Sequence, residues 1–248
     1  MRILSFDTST STLHVALLAD RDVVAQKELP PTSVNRSDIA SQLIPAVADL
    51  LAESGWDKKQ LEGLVVGVGP GSFTGIRVGV ITARTLAQTL DLPLAGISYL
   101  DALAAAAALP GPVAVVLKAG AKPAYYAGGF EPRAQDPAFA ATPPAFLPQE
   151  KLLEYLSGYA AWLANQEAEV ALAADSGVVD GGVISIRPLP AIKNIAAQQA
   201  QLAYDRLSLK AAWDARWQDV FPLYLQSPSV TVKQDHGNRD QKSQTRRP

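Results

Sequence analysis

The sequence predicts an α/β protein built as two successive regions, and three observations predict it. Over roughly the first 108 residues, short apolar runs of strand type alternate with longer segments of helical period. After Pro110 and Gly111 strand-type runs begin again, this time as a pair. The 248-residue chain is 48% hydrophobic, enough to bury one large core or two small ones.

Ile3 to Phe6 reads as a short apolar strand that ends at Asp7 and a Thr/Ser-rich turn, Thr8 to Thr12. Leu13 to Leu18 and Val23 to Leu29 follow as strands, with hairpin chemistry at Ala19-Asp20-Arg21-Asp22 between them. From Asn35 to Glu53 the residues Ile39, Leu43 and Val47, flanked by Ile44, Leu50 and Leu51, recur at helical spacing and give one broad apolar face. Pro45 inside that stretch predicts a kink or a delayed start. Leu64 to Val68 is a buried-type strand broken by Gly69-Pro70-Gly71, and a long helix is expected over Phe73 to Leu90. Pro93 to Ile97 is a further strand. Ser98, with Asp101 three residues on, has the spacing of a capping box and opens an alanine-rich helix.

In the second region, Val113 to Leu117 and Ala124 to Phe130 read as paired strands. Five prolines between Glu131 and Pro148 predict an irregular connection. Gln149 to Leu156 is expected to be helical, Val170 to Ala174 and Val183 to Ile186 to be strands, and Ile192 to Leu209 to be a helix. Phe221 to Leu225 should be extended and pack back. The organisation is thus a first lobe over 1–108, a smaller second lobe over 109–226 with a returning helix, and a tail at 227–248 too poor in apolar residues to order itself.

Composition narrows the function. The 22 basic and 24 acidic residues leave a net charge of −2, which argues against a broad basic surface that grips nucleic acid unaided. There is no cysteine, so disulfides, thiol nucleophiles and Cys-ligated zinc are excluded. The acid at position 7 interrupts any signal-peptide core, and no apolar run is long enough to span a membrane. These features predict a cytoplasmic protein. Arg246-Arg247 is too short a basic run to indicate RNA binding alone. Trp213 and Trp217, four residues apart, are expected to cover the core.

The stretch richest in information is Gly69-Pro70-Gly71-Ser72-Phe73-Thr74-Gly75-Ile76-Arg77-Val78-Gly79. It joins a strand to a helix N-terminus whose unpaired N–H groups favour anions. It is not a P-loop, which needs four residues between its glycines followed by Lys and Ser/Thr. A structural turn and an anion site both remain open. Along the same helix Gly75, Gly79, Ala83 and Ala87 recur every four residues and leave one flank nearly bare. Glycine inside a helix costs about 1 kcal/mol relative to alanine, so the stripe should permit close approach of another element. That element could lie in this chain or in another subunit. Arg77 and Arg84, about two helical turns apart, could meet an interface acid, a phosphate or solvent.

The motif GPGSFTGIRVG, together with ILSFDTSTSTLHVALL at the start of the chain, resembles the TsaB (YeaZ) family, relatives of the glycoprotease-like TsaD proteins. The likeness is strongest over residues 1–108, fades in the second lobe and returns weakly at Phe221-Pro222-Leu223-Tyr224-Leu225. The resemblance implies a two-lobed, actin-like fold of the sugar-kinase and heat-shock-ATPase type, with a divergent second lobe. It implies a non-catalytic subunit that dimerises alone and pairs with a TsaD-type subunit, joined by a TsaE-type ATPase. Together these place a threonylcarbamoyl group on adenosine beside the anticodon of tRNA. The first-lobe helices would be the contact, putting Ile39, Leu43, Val47, Phe73, Gly75, Ile76, Gly79 and Ala83 at the partner interface. Asp7, Thr8, Gly71 and Ser72 match the vestiges of phosphate-facing turns. Asp7 either holds a metal–nucleotide complex there or caps its own turn by accepting N–H groups. No cofactor is expected to be required by the chain itself, with ATP or ADP at the partner interface left open.

The sequence also departs from the family's pattern. Lys118 stands where the second lobe should present an acid and Pro123 where a Glu is expected, and Ser33-Val34-Asn35-Arg36 lacks a His common near the start of the first helix. The two histidines, His14 and His236, cannot form the paired helical metal site of TsaD-type subunits. That makes a glycoprotease-like peptidase the remotest reading. The competing one is an actin-fold ATPase or phosphotransferase that uses Asp7 and the Gly69 to Gly75 turn.

Overall fold

Successive residues of a strand point to opposite faces of its sheet, and in β1 (Arg2–Asp7) both faces are buried. Leu4 and Phe6 enter one core with Leu64, Val66, Ile76 and Val80, while Ile3 enters a second with Val65, Ile97 and Ala200. β1 is the centre of a five-stranded sheet. β2 (Leu13–Ala19) and β3 (Asp22–Leu29) continue from it as antiparallel neighbours, and β4 (Gly63–Gly67) and β5 (Leu94–Ile97) lie parallel on its other side. The order is β3-β2-β1-β4-β5. The computed structural model describes residues 1–31, 38–107, 113–119, 124–133, 136–140, 142–164, 171–174, 185–188, 192–207 and 217–225.

α1 (Asp38–Ser54) and α2 (Phe73–Leu90) cover the first of these faces. α3 (Tyr99–Ala107) lies on the second face. Pro45 does not delay α1, because the helix is already formed from Asp38, seven residues earlier, and runs through it. Ser98 does cap α3, accepting the Leu100 N–H at 3.1 Å. Asp101 pairs with Arg206 at 2.9 Å, a stronger attraction than a neutral cap offers.

The second sheet repeats the first. β6 (Val113–Lys118), β7 (Ala124–Arg133) and β8 (Asp136–Ala140) run antiparallel in turn, and β10 (Ala171–Ala174) and β11 (Ser185–Pro188) lie parallel beside β6. Its order, β11-β10-β6-β7-β8, is the same sequence of stations as in the first sheet. β9 (Ala145–Pro148) extends β7 at its other end, and α4 (Gln149–Ala164) follows it as α1 follows β3. α5 (Ile195–Leu207) follows β11 as α3 follows β5. Two copies of this plan, joined at α3, are the two-lobed actin-like fold.

β8 and β9 occupy the stretch expected to be irregular. Proline is tolerated on edge strands, where its missing N–H faces no ladder partner. Among the described residues β8 and β9 each pair with β7 alone, and Pro137 and Pro148 sit within them. The returning helix α5 does not stay with its own lobe. Its Ile195, Ala196, Ala200 and Ala203 join Ile3, Ala16 and Val65 of the first sheet and Val113, Val115 and Phe130 of the second in one core. α3 and α5 thus form a layer between the sheets. Among the described residues no helix is long and apolar enough to cross a membrane. Residues 33–36, Pro123, Trp213 and the tail 227–248 lie outside the described residues.

Candidate functional site

The end of β1 meets the start of α2 in a tight knot of turns. Asp7 is fully buried. Its Oδ1 accepts the Ser9 N–H at 2.7 Å and the Ser9 hydroxyl at 2.6 Å, and its Oδ2 accepts the Gln199 Nε2–H of α5 at 2.6 Å. This is an aspartate capping its own turn, with a side chain from the far end of the chain closing over it. Gly67 on β4 is part of the fit, since a Cβ there would overlap the Asp7 carboxylate.

Thr8, Gly71 and Ser72 come together at the same point. The Ser72 N–H donates to the Ser9 carbonyl at 2.6 Å, and the Thr8 hydroxyl donates to the Gly75 carbonyl at 2.7 Å. Ser72 caps α2, its Oγ accepting the Gly75 N–H at 3.2 Å. A Cβ on Gly71 would overlap the Ser9 carbonyl. Gly69 needs glycine's freedom of φ, at +97°. The two turns therefore face each other, and several donors that could have met an anion are spent on the chain itself.

The bare flank of α2 receives the same turn. A Cβ on Gly75 would overlap the Thr8 carbonyl, and one on Gly79 the Thr8 hydroxyl. Ile76 and Ala83 of α2, and Leu43 and Val47 of α1, are buried in the core beneath. This corrects the expected interface: Leu43, Val47, Gly75, Ile76, Gly79 and Ala83 are turned inward, because helical spacing reveals a packing face but not what packs there. Ile39 and Phe73 remain partly exposed. The outward apolar residues of the two helices are Ile44 (50% exposed) and Ile81 (62%).

His14 is the cross-strand neighbour of both Asp7 and Glu28. Burial pushes its pKa down, against the upward pull of the Asp7 and Glu28 charges. His14 Nδ1, Ser5 Oγ and Gln199 Oε1 are buried without a hydrogen-bond partner among the described residues. Asn194 anchors the start of α5 to the first sheet. Its Oδ1 accepts the Ala197 N–H at 3.2 Å, and its Nδ2 donates to the Val15 and Lys27 carbonyls at 3.3 and 3.2 Å. Among the described residues no three His, Cys, Asp or Glu side chains converge. In the second lobe, Lys118 ends β6 exposed to solvent.

Residues 217–225 return as a strap along α2. The Leu223 N–H donates to the Val68 carbonyl at 2.8 Å. Tyr224 stacks on Phe73 at 4.7 Å, and the Arg77 guanidinium lies 5.2 Å from the centre of the Phe73 ring. Arg84 lies over two rings, 5.6 Å from Trp217 and 5.3 Å from Phe221. Trp217 packs on the first-lobe core, as expected of a covering residue.

The family described as "TsaD: tRNA N6-adenosine threonylcarbamoyltransferase" matches residues 31–217. The chain is 40% identical over 105 residues to the tRNA threonylcarbamoyladenosine biosynthesis protein TsaB of Bacillus subtilis, covering 42% of this chain and 44% of the relative. It is 40% identical over 104 residues to the TsaB of Escherichia coli, covering 42% and 43%. The match thus spans under half the length of these curated relatives. The structure of YeaZ from Pseudomonas aeruginosa superposes with a TM-score of 0.69 over 90% of this chain and 99% of that one, at 24% identity. At that identity the likeness is one of fold.

Proposed function

The chain belongs to the TsaD family of threonylcarbamoyltransferase proteins, on its TsaB (YeaZ) branch, and from that premise we propose that it is a non-catalytic scaffold or activating subunit. It pairs with a TsaD-type catalytic subunit, with a TsaE-type ATPase joining them, to make threonylcarbamoyladenosine beside the anticodon of tRNA. Alone it forms a homodimer, and it works in the cytoplasm. The observation that carries the non-catalytic part is the state of Asp7. A carboxylate that helps hold a metal–nucleotide complex must present oxygen atoms to an open cleft. Both oxygens of Asp7 accept hydrogen bonds from Ser9 and Gln199, and no part of the residue is exposed. Lys118 supports the same reading, since it carries the opposite charge at the matching station of the second lobe.

The partner surface is the outer side of α1 and α2, centred on Ile44 and Ile81 rather than on the glycine stripe. The test is size-exclusion chromatography with light scattering on the chain alone and mixed with a TsaD-type subunit from the same source. A homodimer that exchanges into a one-to-one heterodimer is expected. Ile81→Glu should abolish both associations while changing stability by no more than about 0.5 kcal/mol, as exposed substitutions do. A monomer indifferent to the TsaD-type subunit would sink the reading. Thermal stabilisation by magnesium and ATP, which a native-state ligand produces, would revive the ATPase alternative.

A further inference from the structure

The strap is pinned to the first lobe yet leaves its large rings outside. Val220 is buried in the first-lobe core and the Leu223 N–H is bonded to the Val68 carbonyl, but Phe221 is 63% exposed and Tyr224 44%. Seven large apolar residues are exposed among the described residues, and four of them, Ile44, Ile81, Phe221 and Tyr224, belong to α1, α2 and the strap. Exposed apolar surface therefore does not stop at the two helices. It continues from Ile81 past the arginines of α2 onto the strap.

Charge on this surface is one-sided. α2 carries two arginines and no acidic residue along its 18 positions. Arg77, Ile81 and Arg84 stand at i, i+4 and i+7 on one stripe, with the arginines about 10 Å apart along the axis at 1.5 Å per residue. Arg21 and Arg206 each hold a carboxylate, at 3.1 and 2.9 Å, whereas Arg77 and Arg84 hold none among the described residues. They lie over rings instead, Arg77 on Phe73 and Arg84 on Trp217 and Phe221. Stacking fixes each guanidinium plane and leaves its N–H edge for an oxygen anion. Asp219, the one carboxylate in the strap, pairs with neither.

Exposed aromatic rings with arginine and few acids are the composition of the centre of a protein interface. A second copy of the chain fits this surface poorly. α2 against its own copy would set arginine against arginine, and the carboxylates in the second half of α1, Asp49 and Glu53, are already held by Lys27 at 3.5 and 3.0 Å. We propose that the strap is part of the partner surface, and that Arg77 and Arg84 receive two carboxylates set about two turns apart on an apolar helix face of the catalytic partner. Ile81, Phe221 and Tyr224 meet the apolar part of that face. The two arginines favour the heterodimer over self-pairing, because opposite charges across an interface gain affinity and like charges lose it. This rests on the reading that the chain is a partner subunit, and it adds what tells one partner from the other.

The test measures both associations of the full chain across a salt series. Sedimentation equilibrium follows self-association, and isothermal titration calorimetry follows pairing with the TsaD-type subunit from the same source. The heterodimer should weaken as salt rises, and the homodimer should not. Arg77→Gln with Arg84→Gln should weaken the heterodimer about tenfold and remove most of its salt dependence, while self-association stays the same or tightens. Phe221→Ala with Tyr224→Ala should weaken the heterodimer about tenfold or more with its salt dependence retained. Thermal unfolding of each variant checks that the fold is intact. Equal weakening of both associations by the arginine pair would assign the surface to a second copy. A heterodimer that ignores both pairs of changes would place the partner elsewhere. Either result overturns the proposal and leaves the subunit reading standing. A chain that never pairs with the TsaD-type subunit would sink the reading and the proposal together.

Discussion

The central strand of the first sheet ends in a buried aspartate, and the matching strand of the second ends in an exposed lysine. β1 and β6 are both six residues long and occupy the same station in the same strand order. Around Asp7 the chain gathers a turn, the start of α2 and a glutamine from α5. Just beyond Lys118 the Ala119 N–H donates to the Ala124 carbonyl at 2.7 Å. The same plan therefore ends one central strand in a polar knot and, among the described residues, ends the other in antiparallel backbone pairing with β7. The knot is where the first lobe fixes α5, so the acid is retained as a fastening.

The largest test of that contrast is at the glycines. Gly79→Leu should cost more than about 4 kcal/mol, beyond the usual range for overpacking, because even a Cβ there overlaps the buried Thr8 hydroxyl, which is tied to the Gly75 carbonyl of the same helix. Gly128→Ala in the second lobe, whose Cβ would meet the Phe130 ring edge at 3.0 Å, should cost about 1 kcal/mol or less. Urea unfolding followed by circular dichroism measures both, and similar costs would erase the contrast. Next comes the acid itself. Asp7→Ala leaves the Ser9 donors buried without an acceptor and Gln199 Nε2 with only a long bond of 3.5 Å to the Ile97 carbonyl, and should cost about 3 kcal/mol, whereas Lys118→Ala should stay within about 0.5 kcal/mol.

The smallest effect belongs to His14. Burial holds its pKa below the ordinary value of about 6.5, so the unfolded chain takes up the proton first. Its contribution to stability is complete above that ordinary value and is lost as pH falls from there through the lowered folded value. His14→Gln should flatten the loss of stability over that interval in pH-dependent denaturation curves. A curve that keeps the wild-type shape would place the titrating group elsewhere.

Much of this was legible in the chain. The strands and helices of the first lobe follow from apolar period, and α2 begins and ends at Phe73 and Leu90 as its pattern predicts. What could not be read is what faces what. The stripe at Gly75, Gly79 and Ala83 announced a close approach, but spacing along one helix has no means of saying that the visitor is Thr8 from sixty-odd residues upstream. Gln199 gave no signal at all. It lies among Gln198, Gln201 and several alanines, where an amide reads as surface, and only the tertiary fold brings it to a carboxylate. β8 and β9 were hidden by prolines that an edge strand tolerates.

The position of α5 has a consequence for how the protein comes into being. Asn194 and Gln199 bind partners 179 and 192 residues earlier in the chain, and Ile195 and Ala200 help to fill one face of the first sheet. A nascent chain leaving the ribosome would have translated β1 to α3 long before the helix that seals them exists. Until then Ile3, Val65 and Ile97 lack much of their cover, and such an intermediate invites chaperones. The segment that carries the family likeness is thus a reading unit of the sequence rather than a folding unit of the protein. A fragment cut near residue 108 should be expected to aggregate, and α5 supplied in trans should be what rescues it.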